Sequence, residues 1–106
     1  MKYKVEISYN AETDLRNIYR YIAFELSSPQ NANSLLDSLK EAILALDEMP
    51  KRYRVFENEP WKTRGLRLMP VGNYLVFYTS DDEKGIVTVN RVMYGGRNID
   101  EELKNS

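Results

Sequence analysis

The sequence predicts an α+β domain with the element order β-α-α-β-β-β, an antiparallel sheet packed on a helical hairpin, and a short C-terminal helix. Three observations carry this reading. Tyr3, Val5, Ile7 and Tyr9 alternate with Lys2, Lys4, Glu6 and Ser8, which is the period of a half-buried strand. Two apolar stripes at helical spacing follow, broken only at Ser27-Ser28-Pro29. Three runs rich in β-branched and aromatic residues, joined by short turns, then occupy most of the second half. A chain of 106 residues makes one domain, 1–106, with a modest core.

Taken in order, Asn10 offers a cap to the first helix, with Glu12 and Asp14 in a first turn where the helix dipole favours acids. Ala11, Leu15, Ile18, Ile22 and Leu26 form its apolar stripe, so the helix spans 11–26. Ser28 caps the second helix and Pro29 takes its first position. Leu35, Leu36, Leu39, Ile43, Leu46 and Met49 line its inner face, and Pro50 stops it. So short a link makes the two helices an antiparallel hairpin. Residues 51–61 have no period and read as a loop, with Trp61 as an anchor. Strands over 64–69, 74–79 and 86–94 are joined by Pro70-Val71-Gly72-Asn73 and by the acidic turn 80–85, so they are antiparallel neighbours. Asn98 caps a terminal helix with Glu101 three residues on and Ile99 and Leu103 four apart.

Composition excludes several chemistries. With no cysteine there is no disulfide or thiolate, and with no histidine the commonest general base and zinc ligand are gone. No metal and no cofactor is expected. No apolar run resembles a signal peptide or membrane span, so the chain reads as cytoplasmic, without a membrane partner. The net charge of −1 hides an asymmetry. Residues 1–50 hold five Lys/Arg against eight Asp/Glu, residues 51–97 hold nine against five, and the tail holds one against three. The strand half is thus cationic and suits acidic partners.

Alternation along the strands points Leu66, Leu68, Leu75 and Phe77 at the helices. Arg67, Met69, Tyr74, Val76 and Tyr78 then face the other side, which no second layer is expected to cover. The last strand and its turn, IVTVNRVMYGGR, carry Arg91, Tyr94 and Arg97. Candidate partner-binding residues are therefore Arg67, Tyr74, Tyr78, Arg91, Tyr94 and Arg97. Arg91, inside the strand, has a second reading as the ion-pair partner of an acid such as Glu12 or Asp14.

The element order resembles the RelE/ParE superfamily of bacterial and archaeal type II toxins. The segments DLRNIYRYIA, GLRLMPVGNYLVFY and VTVNRVMYGGRNIDEEL are similar to that superfamily in the same order, across nearly the whole chain. The resemblance implies a toxin neutralised by a cognate antitoxin protein, with DNA met only indirectly through that antitoxin.

Two mechanisms divide the superfamily: RelE-like members cut mRNA on the ribosome, and ParE-like members poison DNA gyrase. RNA cleavage through the 2′-hydroxyl needs a base, an acid and cations for the phosphorane. Arg67, Tyr94 and Arg97 are the catalytic candidates on that reading. Tyr74 stands where RelE-like nucleases carry a strand arginine, and NIDEELKNS has no counterpart of their distal tyrosine. RVMYGGRNID instead resembles the ParE signature, with Tyr94 at its aromatic-or-histidine position. A pI near 5.5 also suits a protein target better than the polyanionic ribosome. The resemblance is thus more ParE-like than RelE-like, which implies growth inhibition by binding a protein target such as gyrase. The alternatives are a ribosome-dependent mRNA endonuclease and a non-toxic member acting only within an antitoxin/repressor complex.

Overall fold

Strand β1 (Lys4–Ile7) leads directly into helix α1 (Tyr9–Arg20) in the computed structural model, which describes residues 2–96 and 98–104. The N-cap is Ser8 rather than Asn10: its hydroxyl accepts the Ala11 N–H at 3.1 Å and donates to the Asn90 carbonyl at 3.0 Å. A cap of this kind supplies one of the acceptors that a first helical turn lacks. Tyr9, 77% exposed, is the first residue of the helix and not the last inward residue of the strand.

The first helix does not run evenly to residue 26. It passes at Tyr21–Glu25 into a π turn, in which the Leu26 N–H reaches back to the Tyr21 carbonyl at 3.0 Å. The wider turn rotates Leu26 out of the apolar stripe and leaves it exposed beside Tyr21 and Phe24. Ser27, at φ 51°, reverses the chain, and Pro29 opens helix α2 (Pro29–Leu44) with Ser28 at its N-cap position. Two 3₁₀ turns, Ala45–Asp47 and Pro50–Arg52, lead out of it.

Strands β2 (Arg67–Val71), β3 (Tyr74–Asp81) and β4 (Ile86–Tyr94) form the antiparallel meander that the turns predict. Gly72, at φ 58°, occupies the two-residue turn between paired Val71 and Tyr74, where a side chain would be strained. The sheet order is β1-β4-β3-β2, and β1 lies parallel to β4 from Lys4↔Ile86 to Ile7↔Val89. The sheet is therefore mixed and not wholly antiparallel: the helical hairpin carries the chain from β1 across to β2 at the far edge, and the meander returns β4 to lie parallel beside β1. Helix α3 (Ile99–Lys104) closes the described chain, and the Asn98 Oδ1 accepts the Glu101 N–H at 3.5 Å.

The two sheet faces are the reverse of the alternation-based assignment. Met69, Val76 and Tyr78 face the helices and join Ala11, Leu15, Leu39, Ile43 and Leu46 in the main core. Leu66, Leu68, Phe77 and Met93 face the other way. That second face is not open: Phe56, Trp61, Ile99 and Leu103, from the 51–66 segment and α3, cover it. With both faces of β3 buried, Leu75-Val76-Phe77-Tyr78 is apolar throughout and alternation loses its contrast. Trp61 anchors its loop, packing against Phe56 with ring centroids 5.9 Å apart.

Candidate partner-binding groove

The candidate site forms where β1 ends. β1 accompanies β4 only as far as Val89, so the following residues of β4 lose a strand neighbour. Side chains of the preceding segment take its place. Ser8 bonds the Asn90 carbonyl, and the Asp14 carboxylate accepts the Val92 N–H at 2.9 Å. Asp14 also accepts from Arg91, at 2.7 Å from Nε and 3.0 Å from Nη2. Arg91 in turn donates from Nη1 to the Glu102 carbonyl at 2.9 Å, near the cationic-friendly C-terminal end of α3. The hydrogen bond to Asp14 holds the Arg91 guanidinium above its ordinary pKa. Glu12, the other acid of the first turn, is exposed.

Beside this pair lies a groove of about 1010 Å³ between the helical hairpin and the end of the sheet. Its walls are Ile18, Tyr21, Ile22 and Leu26 on one side and Asn31 and Leu35 of α2 on the other. Tyr74, Val92 and Tyr94 line the sheet side. Tyr74 and Tyr94 are cross-strand partners whose rings meet edge to face, 5.8 Å apart at 73°. The turn after β4 holds Tyr94 in place: the Gly95 N–H donates to the Asn73 carbonyl at 2.9 Å, and Gly96 leaves room for the ring, since a Cβ there would lie 2.6 Å from it. Tyr21, Leu26 and Tyr94 stay 55%, 56% and 48% exposed, so an apolar rim faces solvent.

The other candidates lie elsewhere. Arg67 pairs with Tyr78, four residues along β3 from Tyr74, which is roughly 13 Å at the strand rise. Its guanidinium donates to the carbonyls of Tyr53 at 2.7 Å and Lys51 at 3.2 Å and so pins the end of the second 3₁₀ turn to the sheet. Tyr78 is fully buried, donates its hydroxyl to the Pro50 carbonyl, and has its pKa pushed up to about 12 by that burial. It therefore leaves the list of surface residues, because the face it occupies is the helix-covered one. Arg97 lies outside the described residues. Of the sequence candidates, Tyr74, Arg91 and Tyr94 line this one groove, together with Tyr21 and Leu26, which the sequence does not single out as site residues. Tyr21 sits off the helical stripe, and that is the one signal the sequence offered.

Among the described residues, no group of acids could hold a metal ion, and no helix is long and apolar enough to cross a membrane.

A four-stranded sheet carrying a helical hairpin, with a short C-terminal helix, is the fold of the RelE/ParE toxins. The family described as the ParE toxin of the type II toxin-antitoxin system parDE matches residues 5–99, and the chain belongs to it. The chain is similar in structure to the chromosomal ParDE system of P. aeruginosa at TM-score 0.73 and 15% identity, covering 88% of this chain and 96% of that one. It is also similar to the RelBE2 toxin-antitoxin complex of Mycobacterium tuberculosis at TM-score 0.67 and 21% identity, covering 89% and 99%. A free E. coli RelE toxin mutant gives TM-score 0.67 at 17% identity, covering 99% and 98%. At such identities these likenesses establish the fold. No curated protein matches the chain by sequence.

Proposed function

We propose that this chain is a growth-arresting toxin that binds a protein target, DNA gyrase, and cleaves no RNA. We further propose that its cognate antitoxin neutralises it by seating an apolar segment in the groove. The observation that carries the reading is the commitment of the two candidate cations among the described residues, Arg67 and Arg91. RNA cleavage needs guanidinium or ammonium groups free to meet the phosphorane, next to a proton donor and acceptor. Arg91 is matched by the Asp14 carboxylate, and Arg67 is held by two carbonyls some distance from Tyr94. What faces solvent at the groove is instead Tyr21, Leu26 and Tyr94, rigid amphipathic or apolar surface of the type that protein interfaces favour. Family membership and the toxin-antitoxin complexes among the similar structures support the antitoxin as partner.

The test is to induce the chain without its antitoxin and assay both targets. Purified gyrase and supercoiled plasmid should yield linear DNA in the presence of the chain, with cellular mRNA intact. Site-specific cuts in translated mRNA, mapped by primer extension, would overturn the reading in favour of the endonuclease. Unimpaired growth would leave only a role within an antitoxin complex.

A further inference from the structure

The cationic excess noted in the sequence is concentrated on one edge of the fold. Residues 51–67 hold six Lys/Arg and only two acids, Glu57 and Glu59. Both acids are engaged locally: Glu57 pairs with Lys62 at 3.3 Å, and Glu59 accepts from the Thr63 N–H and hydroxyl at 2.8 Å. Lys51 pairs with Asp82 across the molecule. Arg52, Arg54 and Arg64 have no acid partner among the described residues. Arg52 is held in place by neutral groups, the Glu48 carbonyl at 2.7 Å and the Tyr53 ring at 5.1 Å, so its charge is uncompensated.

The backbone places these three along the same edge of the fold. Residues 54–56 run beside the outer edge of β2, with the Leu68 N–H on the Arg54 carbonyl, the Val55–Arg67 bridge and the Phe56 N–H on the Leu66 carbonyl. Arg52 lies beyond one end of this pairing and Arg64 lies in the turn at the other. The paired stretch spans two strand steps, roughly 7 Å, and Arg52 and Arg64 extend the cationic edge beyond its two ends. The aromatic residues of the segment do not offer stacking surface. Phe56 and Trp61 turn inward to the second core cluster, and Trp61 is 7% exposed. Binding of single strands relies on such exposed rings, whereas a duplex backbone needs only charge at the right spacing.

We infer that the Arg52–Arg54–Arg64 edge binds the phosphate backbone of duplex DNA without reading its sequence. The inference goes beyond the proposed function and does not depend on it, because it concerns a different surface and is tested on the purified chain alone. The experiment follows anisotropy of a short labelled DNA duplex, and of a single-stranded RNA of equal length, between about 50 and 200 mM salt. Three neutralised phosphates give a log–log salt slope of about −2.7 for the duplex. Arg54→Ala with Arg64→Ala should reduce it to about −0.9, while Arg16→Ala on α1 leaves it unchanged. All three side chains are exposed, so thermal unfolding of the variants should match the parent and exclude misfolding as the cause. Absence of duplex binding at the lowest salt, or a slope untouched by the double substitution, overturns the inference. So does tighter binding of the RNA through the same arginines, which would make single-stranded RNA the occupant.

Discussion

Arg91 and Asp14 are 77 positions apart in sequence, yet two hydrogen bonds of 2.7 and 3.0 Å join them and fasten β4 to α1. The side chains are 14% and 15% exposed, and the same carboxylate holds the Val92 N–H. Removing it would leave the largely desolvated guanidinium, among the described residues, only the longer pair with the Glu102 carboxylate at 3.8 Å as an acid partner, and would leave an edge amide unmet. Asp14→Ala should therefore cost about 2–4 kcal/mol, a fall in Tm of roughly 10–20 °C for a domain of this size. Adding Arg91→Ala should recover part of the loss, because the largely desolvated guanidinium, left with the longer Glu102 carboxylate pair at 3.8 Å, goes with it. A decrease in Tm of only a degree or two on Asp14→Ala would refute this assignment of the pair.

Arg67 makes a contrasting case. From the sequence it reads as a cation on an uncovered sheet face. Its two bonds to the carbonyls of Lys51 and Tyr53 make it a tether for the segment leaving α2. Arg67→Ala should lower stability by about 1–2 kcal/mol, and Arg67→Lys should recover little, because one ammonium lacks the guanidinium's fixed fork. Urea denaturation with an unchanged m-value would measure the difference.

How much of this was legible beforehand depended on contrast between neighbouring residues. The helix break at Ser27-Ser28-Pro29 and the three-strand meander were readable because Pro29 and Gly72 leave the backbone few alternatives. The direction of β1 was not, since alternation at Val5 and Ile7 is the same for parallel and antiparallel pairing. Alternation reverses the sheet faces because Leu75 to Tyr78 is apolar on both sides, and nothing local announces that α3 and the 51–66 segment form a second cover. At the site, Arg91 was legible as the partner of either acid in the first turn of α1, and geometry selected Asp14. The π turn that exposes Leu26 leaves no trace in apolar spacing, which reads as an unbroken helix.

Tyr78 offers a check on the corrected faces. Its phenol is buried against the helices, donates to the Pro50 carbonyl, and has its pKa pushed from 10.0 to about 12. Tyr78→Phe should cost about 1–2 kcal/mol by leaving that carbonyl unpaired and should not change toxicity. The raised pKa means that the neutral form's contribution is complete below 10 and lost as pH rises through about 12. The parent should therefore lose stability relative to Tyr78→Phe across that window. Parallel alkaline Tm profiles for the two proteins would contradict the buried placement.

A second pH effect comes from the turn between β3 and β4. Asp82 accepts the Tyr3 hydroxyl at 2.9 Å and pairs with Lys51, tying the first strand and the segment after α2 to this hairpin. The hydrogen bond from Lys51, then that from Tyr3, holds its carboxyl below the ordinary 3.8. A lowered folded-state pKa gives stability that is present above the unfolded value and lost as pH falls through the folded one. Lys51 is shifted the other way, above 10.5, so its part survives until strongly alkaline pH. Asp82→Asn should lower Tm slightly at neutral pH, and the gap to the parent should close in strong acid. A gap that persists below the carboxylate range would show that the tether does not act through this charge.

The groove yields the prediction closest to function. Tyr21, Leu26 and Tyr94 are about half exposed, so replacing them removes little buried area within the chain. Leu26→Asp places a charge on the apolar rim, and Tyr21→Ser removes a ring from the wall that the π turn presents. If an apolar antitoxin segment seats here, each change should weaken the complex by about 2 kcal/mol or more, at least tenfold in Kd. The Tm of the free chain should move by no more than a few degrees. Isothermal titration of the antitoxin against parent and variants separates the two quantities. Leu26→Asp should also let toxicity escape neutralisation when the pair is co-expressed, unless the target uses the same rim. Gyrase-dependent plasmid linearisation by the free variant resolves that case: retained linearisation places target and antitoxin on different surfaces, and lost linearisation places them on the same one. Unaltered antitoxin affinity in both variants would remove the groove as the antitoxin's seat.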